Sequence, residues 1–438
     1  MKYDVIIIGG GMSGIAAGIR LAMFDKKVCI LEKHAIPGGL NSYYSKDSRR
    51  FDVGLHALTN FVDKTVKQAP LNKLLRQLRI RYDNLDLVEQ SFSTIDFPDV
   101  SLKFGNSYTL LEDEVALKFP SQIDGFRRLV SHVRDYNDVS LNAEYISSIQ
   151  VLSQFISDPV LVKMILCPVM YYGSAVEEDM DFSQFCIMFK SIFLEGFSRP
   201  QKGVRQIIRL LQNRFKECGG VVKFRTGVKE ILSKGDTAYG VELENGDILE
   251  ADKVLSSVGL RETYNLIDPT LKAQEKFKKG NLSFVESLLV LDKMPSELGL
   301  DQTITFFSKD KDFSYSKPKG QAYDPRSGVI CLPNNFRYTD NAPKEGMVRF
   351  TSLADYDLWS QYSPEEYEAK KNEFVKAQIE HSGFGDKIRD HVLYVDAFTP
   401  RTVEKFTSHI NGAIYGSPEK IKDGRTSLEN VYICGTDQ

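Results

Sequence analysis

Residues 5–8 form an unbroken apolar run that stops at Gly9-Gly10-Gly11-Met12-Ser13-Gly14, after which Ile15, Ala16, Ile19, Leu21 and Ala22 recur at helical spacing. A second apolar run at 28–31 ends in an acid, Glu32. Short apolar runs bounded by turn residues predict strands buried on both faces, and the period between them predicts a helix. The order strand, glycine turn, helix, strand, acid gives a physical reading to the G-x-G-x-x-G spacing at Gly9, Gly11 and Gly14. Gly9 permits the tight turn, Gly11 lets the backbone approach a pyrophosphate, and Gly14 lets helix and strand pack closely. The helix N-terminus offers unpaired amides to the phosphates. Glu32 follows the turn by about 20 residues, where a carboxylate can accept both ribose hydroxyls. An acid there disfavours a 2′-phosphate, so directly bound NADP is not expected.

Similar patterns recur far downstream. Apolar residues at helical spacing over 204–217 close at Gly219-Gly220, and strands are predicted at 221–224, 228–232, 238–243 and 247–255, with Asn245-Gly246 as a hairpin turn. The far end, 430–434, is again an apolar strand meeting Gly435. These separated pieces predict one discontinuous nucleotide-binding domain from 1–70, 204–275 and 395–438, and a second domain from 71–203 and 276–394. The first half of that second domain is helical in period (122–136, 146–169, 182–194). The second half alternates as strands at 283–291, 303–307, 329–332 and 347–353, followed by a polar helix at 364–380 capped at Ser363-Pro364. The fold class expected is therefore α/β, with a mixed sheet and a helical cover in the second domain.

Composition narrows the chemistry. Lys and Arg total 56 and Asp and Glu 59 in 438 residues, a balance that argues against a nucleic-acid groove. The cysteines at 29, 167, 186, 218, 331 and 434 have no paired short spacing, and the histidines at 34, 56, 132, 381, 391 and 409 have no ligand spacing, so no metal site is expected. No G-x-S-x-G elbow is present for a hydrolase. No apolar run approaches the roughly 20 residues of a bilayer span, and the N-terminus does not read as a signal peptide. A cytoplasmic location follows as the expectation, with peripheral membrane contact left open.

After Glu32 the chain continues Lys33-His34-Ala35-Ile36-Pro37-Gly38-Gly39-Leu40-Asn41-Ser42, then Arg50-Phe51-Asp52-Val53-Gly54-Leu55-His56. Near the far end stand Thr399-Pro400-Arg401, Asn411-Gly412 and Gly435-Thr436-Asp437. With the glycine turn, these elements in this order resemble the FAD-dependent phytoene desaturase, carotenoid isomerase and retinol saturase family, a branch of the flavin amine-oxidase-like fold. The resemblance implies a Rossmann-like FAD-binding domain in the discontinuous segments. It implies FAD held by Gly9, Gly11, Met12, Ser13 and Gly14 at the pyrophosphate and by Glu32 with Lys33 at the adenosine ribose. Gly38, Gly39, Leu40 and Asn41 would follow the ribityl side, Gly54 the ring, Val228 the adenine, and Gly435 with Asp437 the ribityl chain or phosphates. Leu40 stands where related flavoproteins often carry a basic residue. The resemblance also expects a helix after Gly435, so the natural chain is expected to extend beyond Gln438.

His56 is the candidate at the ring or substrate end, with a purely structural histidine as the alternative. Arg401, ahead of a strand-like run, is the second candidate, with an interdomain ion pair as its alternative. The function expected from the resemblance is oxidoreduction at carbon–carbon bonds of an apolar polyene or isoprenoid-like substrate, by desaturation, saturation or isomerisation. The aromatic-rich stretch 182–197, with Tyr171 and Tyr172, is a candidate tunnel lining or else core. A flavin amine oxidase on a small amine and a non-catalytic FAD- or lipid-binding protein are the rival readings. The electron donor or acceptor and the oligomeric state stay open.

Overall fold

The apolar opening run becomes the strand Lys2–Ile8, at the centre of a seven-stranded sheet in the computed structural model, which describes residues 2–267 and 277–438. The sheet runs Val228–Lys234, Thr237–Leu243, Ile248–Ser256, Lys2–Ile8, Val28–Leu31, Val221–Lys223. Ile6 and Ile7 point to opposite faces and are both fully buried, as an uninterrupted apolar run in a two-sided parallel sheet requires. Ile248–Ser256 joins the two ends of the chain. Its length pairs in parallel with Lys2–Ile8, its start is antiparallel to Thr237–Leu243, and its last three residues pair in parallel with Val431–Ile433. The helices Met12–Ala22 and Arg205–Glu217 pack on this sheet, touching where Gly18 leaves no side chain: a Cβ there would lie 2.9 Å from the Phe215 ring.

The second sheet also has seven strands, in the order Val392–Phe398, Ser283–Leu291, Gly346–Ala354, Ser327–Cys331, Ile304–Ser308, Ser93–Phe97, Val100–Phe104. Ser283–Leu291 and Gly346–Ala354 pair antiparallel along their whole lengths. Helices between 108 and 195 cover one face, and their core is aromatic: Phe182, Phe185, Phe189, Phe193 and Phe197 are essentially inaccessible. The molecule is a two-domain α/β structure with mixed sheets and flanking helices. Among the described residues no helix is long and apolar enough to cross a membrane.

Several expected boundaries shift for local reasons. The helix expected over 146–169 breaks into Ser148–Phe155 and Pro159–Gly173, because the Asp158 carboxylate accepts from the Val160 amide at 2.9 Å and caps the second piece. The 182–194 helix is α-helical to Phe189 and continues as the π-helical turn Lys190–Glu195. The strand-like run after Thr399 is instead the helix Pro400–Thr407, with Thr399 as cap and proline at its first position. Helix Pro70–Leu78 lies across the boundary expected at 70/71, and its Leu71, Leu75 and Leu78 join the apolar cluster that holds Ile7 of the first sheet and Ile15 of helix Met12–Ala22. The boundary expected at 394/395 falls inside Val392–Phe398, which pairs with Ser283–Leu291 and so belongs to the second sheet. The 275/276 boundary lies outside the described residues.

Candidate active site

The glycine turn is held by its own backbone. Gly9, at φ +94°, donates its amide to the Leu31 carbonyl at 2.9 Å, and a Cβ on Gly14 would sit 2.5 Å from the Gly9 carbonyl oxygen. Gly11 differs. It caps helix Met12–Ala22 in an ordinary extended conformation (φ −68°), and the place a Cβ would occupy is empty space on the cavity wall. The first amides of that helix have no intrahelical acceptor. The loop after Glu32 folds back over the turn, with the Gly38 amide donating to the Gly10 carbonyl at 2.9 Å. Glu32 ties turn and loop together: one oxygen accepts from the Gly10 amide and the other from the His34 amide, each at 2.8 Å. Each carboxylate oxygen keeps a second acceptor site, and Glu32 lines the cavity. Across the opening stand Thr226, Gly227 and Val228, with Lys33 and Glu244 in contact at 3.1 Å.

This groove is one end of a cavity of about 1280 Å³, larger than the ~300–1,000 Å³ of an ordinary ligand pocket. Helix Pro400–Thr407 roofs it with Thr402, Val403, Phe406 and Thr407, and the Phe406 ring meets His34 at 5.5 Å. Glu262 and His409 line the same middle section. Burial raises the Glu262 carboxyl to about 7 even though the Ile410 amide donates to it at 2.8 Å, and burial likewise lowers His409.

The far end reaches the second sheet. Glu286 and Thr351 stand directly opposite each other on neighbouring strands, and Arg349 is two residues along from Thr351. Arg349 Nε donates to Glu286 Oε1 at 2.9 Å, and Thr351 Oγ1 donates to Oε2 at 3.2 Å. His56 Nε2 lies 3.2 Å from that same Oε2. Burial opposes charge on Glu286, but Arg349 and His56 beside it outweigh burial and hold the carboxyl at about 2. Burial, reinforced by Arg349, lowers His56, so its imidazole is neutral. The loop carrying His56 is clamped from below. Arg199 bonds Asp52 at 2.6 Å and the His56 carbonyl at 3.2 Å, and Arg205 reaches Asp52 at 3.3 Å. Gly54, at φ +68°, is required by crowding against the neighbouring loop, since a Cβ there would lie 2.2 Å from the Leu40 carbonyl oxygen. Tyr171, Tyr172, Met188, Phe284, Val329 and Tyr415 also line the cavity.

Of the residues singled out in the sequence, the fold brings Gly9, Gly11, Glu32, Lys33, Gly39, Leu40, Asn41, Gly54, His56 and Val228 to this one cavity. Gly14, Gly38, Met12 and Ser13 lie behind the lining, the glycines packing the turn. Gly435 packs beside Ser13, and its neighbour Thr436 lines the wall instead. Asp437 turns away: its carboxylate accepts from the Leu260 amide at 2.6 Å and the Ser417 amide at 2.8 Å, which consumes it in joining the chain end to a helix. Arg401 is not brought to the cavity. It lies exposed, 4.6 Å over the Tyr367 ring, because its helix presents the opposite face inward. From the stretch 182–197 Met188 alone lines the cavity, the phenylalanines being core. Glu286, Arg349 and Thr351 were not anticipated. The available signal was a lone charge inside each of two apolar strands, which buried strands tolerate only as a pair.

An extended dinucleotide fits this donor set. The open face at Gly11, at the N-terminus of helix Met12–Ala22, and the Glu32 carboxylate line the same end of the cavity. His34 Nε2 and His409 Nδ1 are buried polar atoms of the lining with no hydrogen-bond partner among the described residues.

A model of the family described as flavin containing amine oxidoreductase matches residues 12–370. Prolycopene isomerase 2, chloroplastic, of an Oncidium hybrid cultivar is 24% identical over 99% of this chain and 80% of its own length. The 4,4'-diaponeurosporene oxygenase of Staphylococcus aureus (strain MRSA252) is 24% identical over 99% of this chain and 94% of its own. Among solved structures, an oxidoreductase from Methanosarcina mazei superposes with a TM-score of 0.67 at 16% identity, covering 100% of this chain and 95% of that one. Putrescine oxidase bound to putrescine superposes with a TM-score of 0.60 at 15% identity, covering 99% and 93%. These two likenesses concern the fold alone.

Proposed function

The chain belongs to the flavin-containing amine oxidoreductase family, and from that premise we propose that it acts on carbon–carbon bonds of an apolar polyene or isoprenoid-like molecule. It is a flavin-dependent oxidoreductase with FAD as cofactor. When bound, the flavin supplies hydride-accepting or hydride-donating chemistry.

The rest is the work of the chain's own residues. Gly11 and the first amides of helix Met12–Ala22 would take the pyrophosphate, Glu32 the ribose, and the edge at Val228 the adenine. The apolar inner walls align a long chain and exclude water, the main service an unactivated hydrocarbon needs. Glu286 and Thr351 fix the orientation of a neutral His56 at that end.

The observation that carries the polyene reading is the state of the carboxylates in the substrate half. An ammonium substrate held by ion pairing calls for an open carboxylate. Glu286 is already neutralised by Arg349, and Asp396 accepts from the Tyr44 hydroxyl at 2.9 Å and faces Lys46 at 3.4 Å. Relatives named for prolycopene and 4,4'-diaponeurosporene, aligned over 99% of this chain, support the same reading.

The test is to incubate the FAD-loaded chain, oxidised and reduced, with a polyene hydrocarbon and separately with a diamine, then to extract and chromatograph the polyene. A change in the number or geometry of its double bonds is expected. Oxidation of the diamine with the polyene recovered unaltered would sink the proposal.

A further inference from the structure

Two polar atoms at the inner end of the cavity have no hydrogen-bond partner among the described residues: His56 Nδ1 and the Tyr172 hydroxyl. Both residues line the chamber. Buried polar groups are nearly always paired, so an unpaired one in a cavity wall points at what the cavity takes. The neighbouring Tyr171 is a useful contrast, since its hydroxyl is already bonded to Ser327 Oγ at 2.9 Å.

The geometry fixes what each orphan can do. Glu286, ionised beside Arg349, only accepts hydrogen bonds, and the Thr351 hydroxyl, 3.2 Å from His56 Nε2, gives its hydrogen to Glu286, so His56 Nε2 carries the imidazole's single hydrogen. Nδ1 is then a bare lone pair. Tyr172 is wedged between Phe197 and Phe306, ring centroids 5.1 and 5.7 Å away, which fixes the position of its hydroxyl. Burial pushes that phenol well above its ordinary range, so it keeps its proton. The Tyr172 ring packs on Phe306, which stands across from Val329, itself across from Thr351, whose hydroxyl lies 3.2 Å from His56 Nε2, so both orphans sit over the same stretch of the second sheet. One acceptor and one donor in an apolar surround complement a group that both gives and takes a hydrogen bond.

We propose that His56 and Tyr172 form a subsite for a hydroxyl on the otherwise apolar substrate, the hydroxyl donating to His56 Nδ1 and accepting from Tyr172. The inference rests on the reading of the cavity as an apolar polyene or isoprenoid site and narrows it to alcohols.

The test uses the FAD-loaded chain and three C20 isoprenoid probes: geranylgeraniol, its methyl ether, and the hydrocarbon with hydrogen in place of the hydroxyl. Dissociation constants are read from the perturbation of flavin absorption. The alcohol is expected to bind about tenfold tighter than its ether, the worth of the one hydrogen bond the ether cannot donate, and tighter still than the hydrocarbon. Y172F keeps the ring contacts and should melt no lower than the wild type. It is expected to reduce the alcohol's advantage over the hydrocarbon, and to weaken the ether, while leaving the hydrocarbon's constant unchanged. Equal constants for all three probes overturn the hydroxyl subsite and leave the isoprenoid reading standing. Binding of none overturns both. A Y172F flavin spectrum altered without any probe, with all three constants shifted alike, assigns the orphans to the cofactor and also overturns the subsite.

Discussion

Single residues in this cavity titrate in opposing senses. Glu286 is depressed to about 2 and His56 is lowered, so at acid pH the unfolded chain binds protons that the folded chain does not, and stability drains as pH falls. Glu262 works the other way. Its folded carboxyl, raised by burial to about 7, keeps a proton that the unfolded chain releases above about 4.5. Its contribution is intact below 4.5 and is lost as pH rises through 7. E262Q keeps an oxygen to accept from the Ile410 amide and abolishes the titration. In urea denaturation it should match the wild type at pH 4 and exceed it by roughly 1–3 kcal/mol at pH 8. A variant less stable than the wild type at pH 8 would mean that the ionised carboxylate is held by a partner and that burial does not dominate. Legibility at this scale was uneven. His56 was picked out from its motif, whereas Glu286 and Arg349 escaped, because a charge within an apolar strand reveals its partner only once the strand register is known.

At the scale of elements, the glycine turn holds two glycines with different duties. Gly14 is packing: its missing Cβ keeps the helix against the Gly9 carbonyl and Ser257 Oγ. Gly11 is access: a methyl there meets nothing in the protein and its φ suits alanine. G11A should therefore leave the FAD-free chain as stable as the wild type or up to ~1 kcal/mol more so, through a less flexible unfolded state, while weakening FAD at least about tenfold. G14A should lower the melting temperature of the FAD-free chain itself. Calorimetry of both variants with and without FAD reads the difference, and a G11A chain that binds FAD normally would contradict the assignment of its open face to the pyrophosphate.

The elements were legible where one signal dominated. Residues 28–31 and 283–291 were read at their observed limits, since a continuous apolar run bounded by turns leaves little choice. Helix Pro400–Thr407 was misread as strand although it begins Thr-Pro-Arg-Thr, the same kind of capped start that was recognised at Ser363-Pro364. Its β-branched and aromatic residues favour a strand, and the Thr399 cap prevails in the fold.

At the scale of the whole molecule, the discontinuity of the first sheet makes the site. Val254 pairs with both Ile6 and Val431, so residues from the start, middle and end of the chain meet on one strand, and the cavity opens at the carboxyl ends of those strands. From there it passes under one helix to the second sheet, where the chemistry changes from hydrogen-bonding glycine turns to aromatic and aliphatic walls. Sequence pattern revealed the nucleotide half because its spacing is imposed by a phosphate and a turn. The substrate half was hidden because an apolar chamber and an apolar core are built from the same residues, as the burial of Phe182 to Phe197 shows.

The continuity of those two halves is tested most directly by titrating a polyene hydrocarbon into the FAD-loaded chain while following the flavin absorption band. A saturable one-to-one shift with the polyene, and none with a diamine, is the predicted result. A band that responds to the diamine and ignores the polyene would contradict the account.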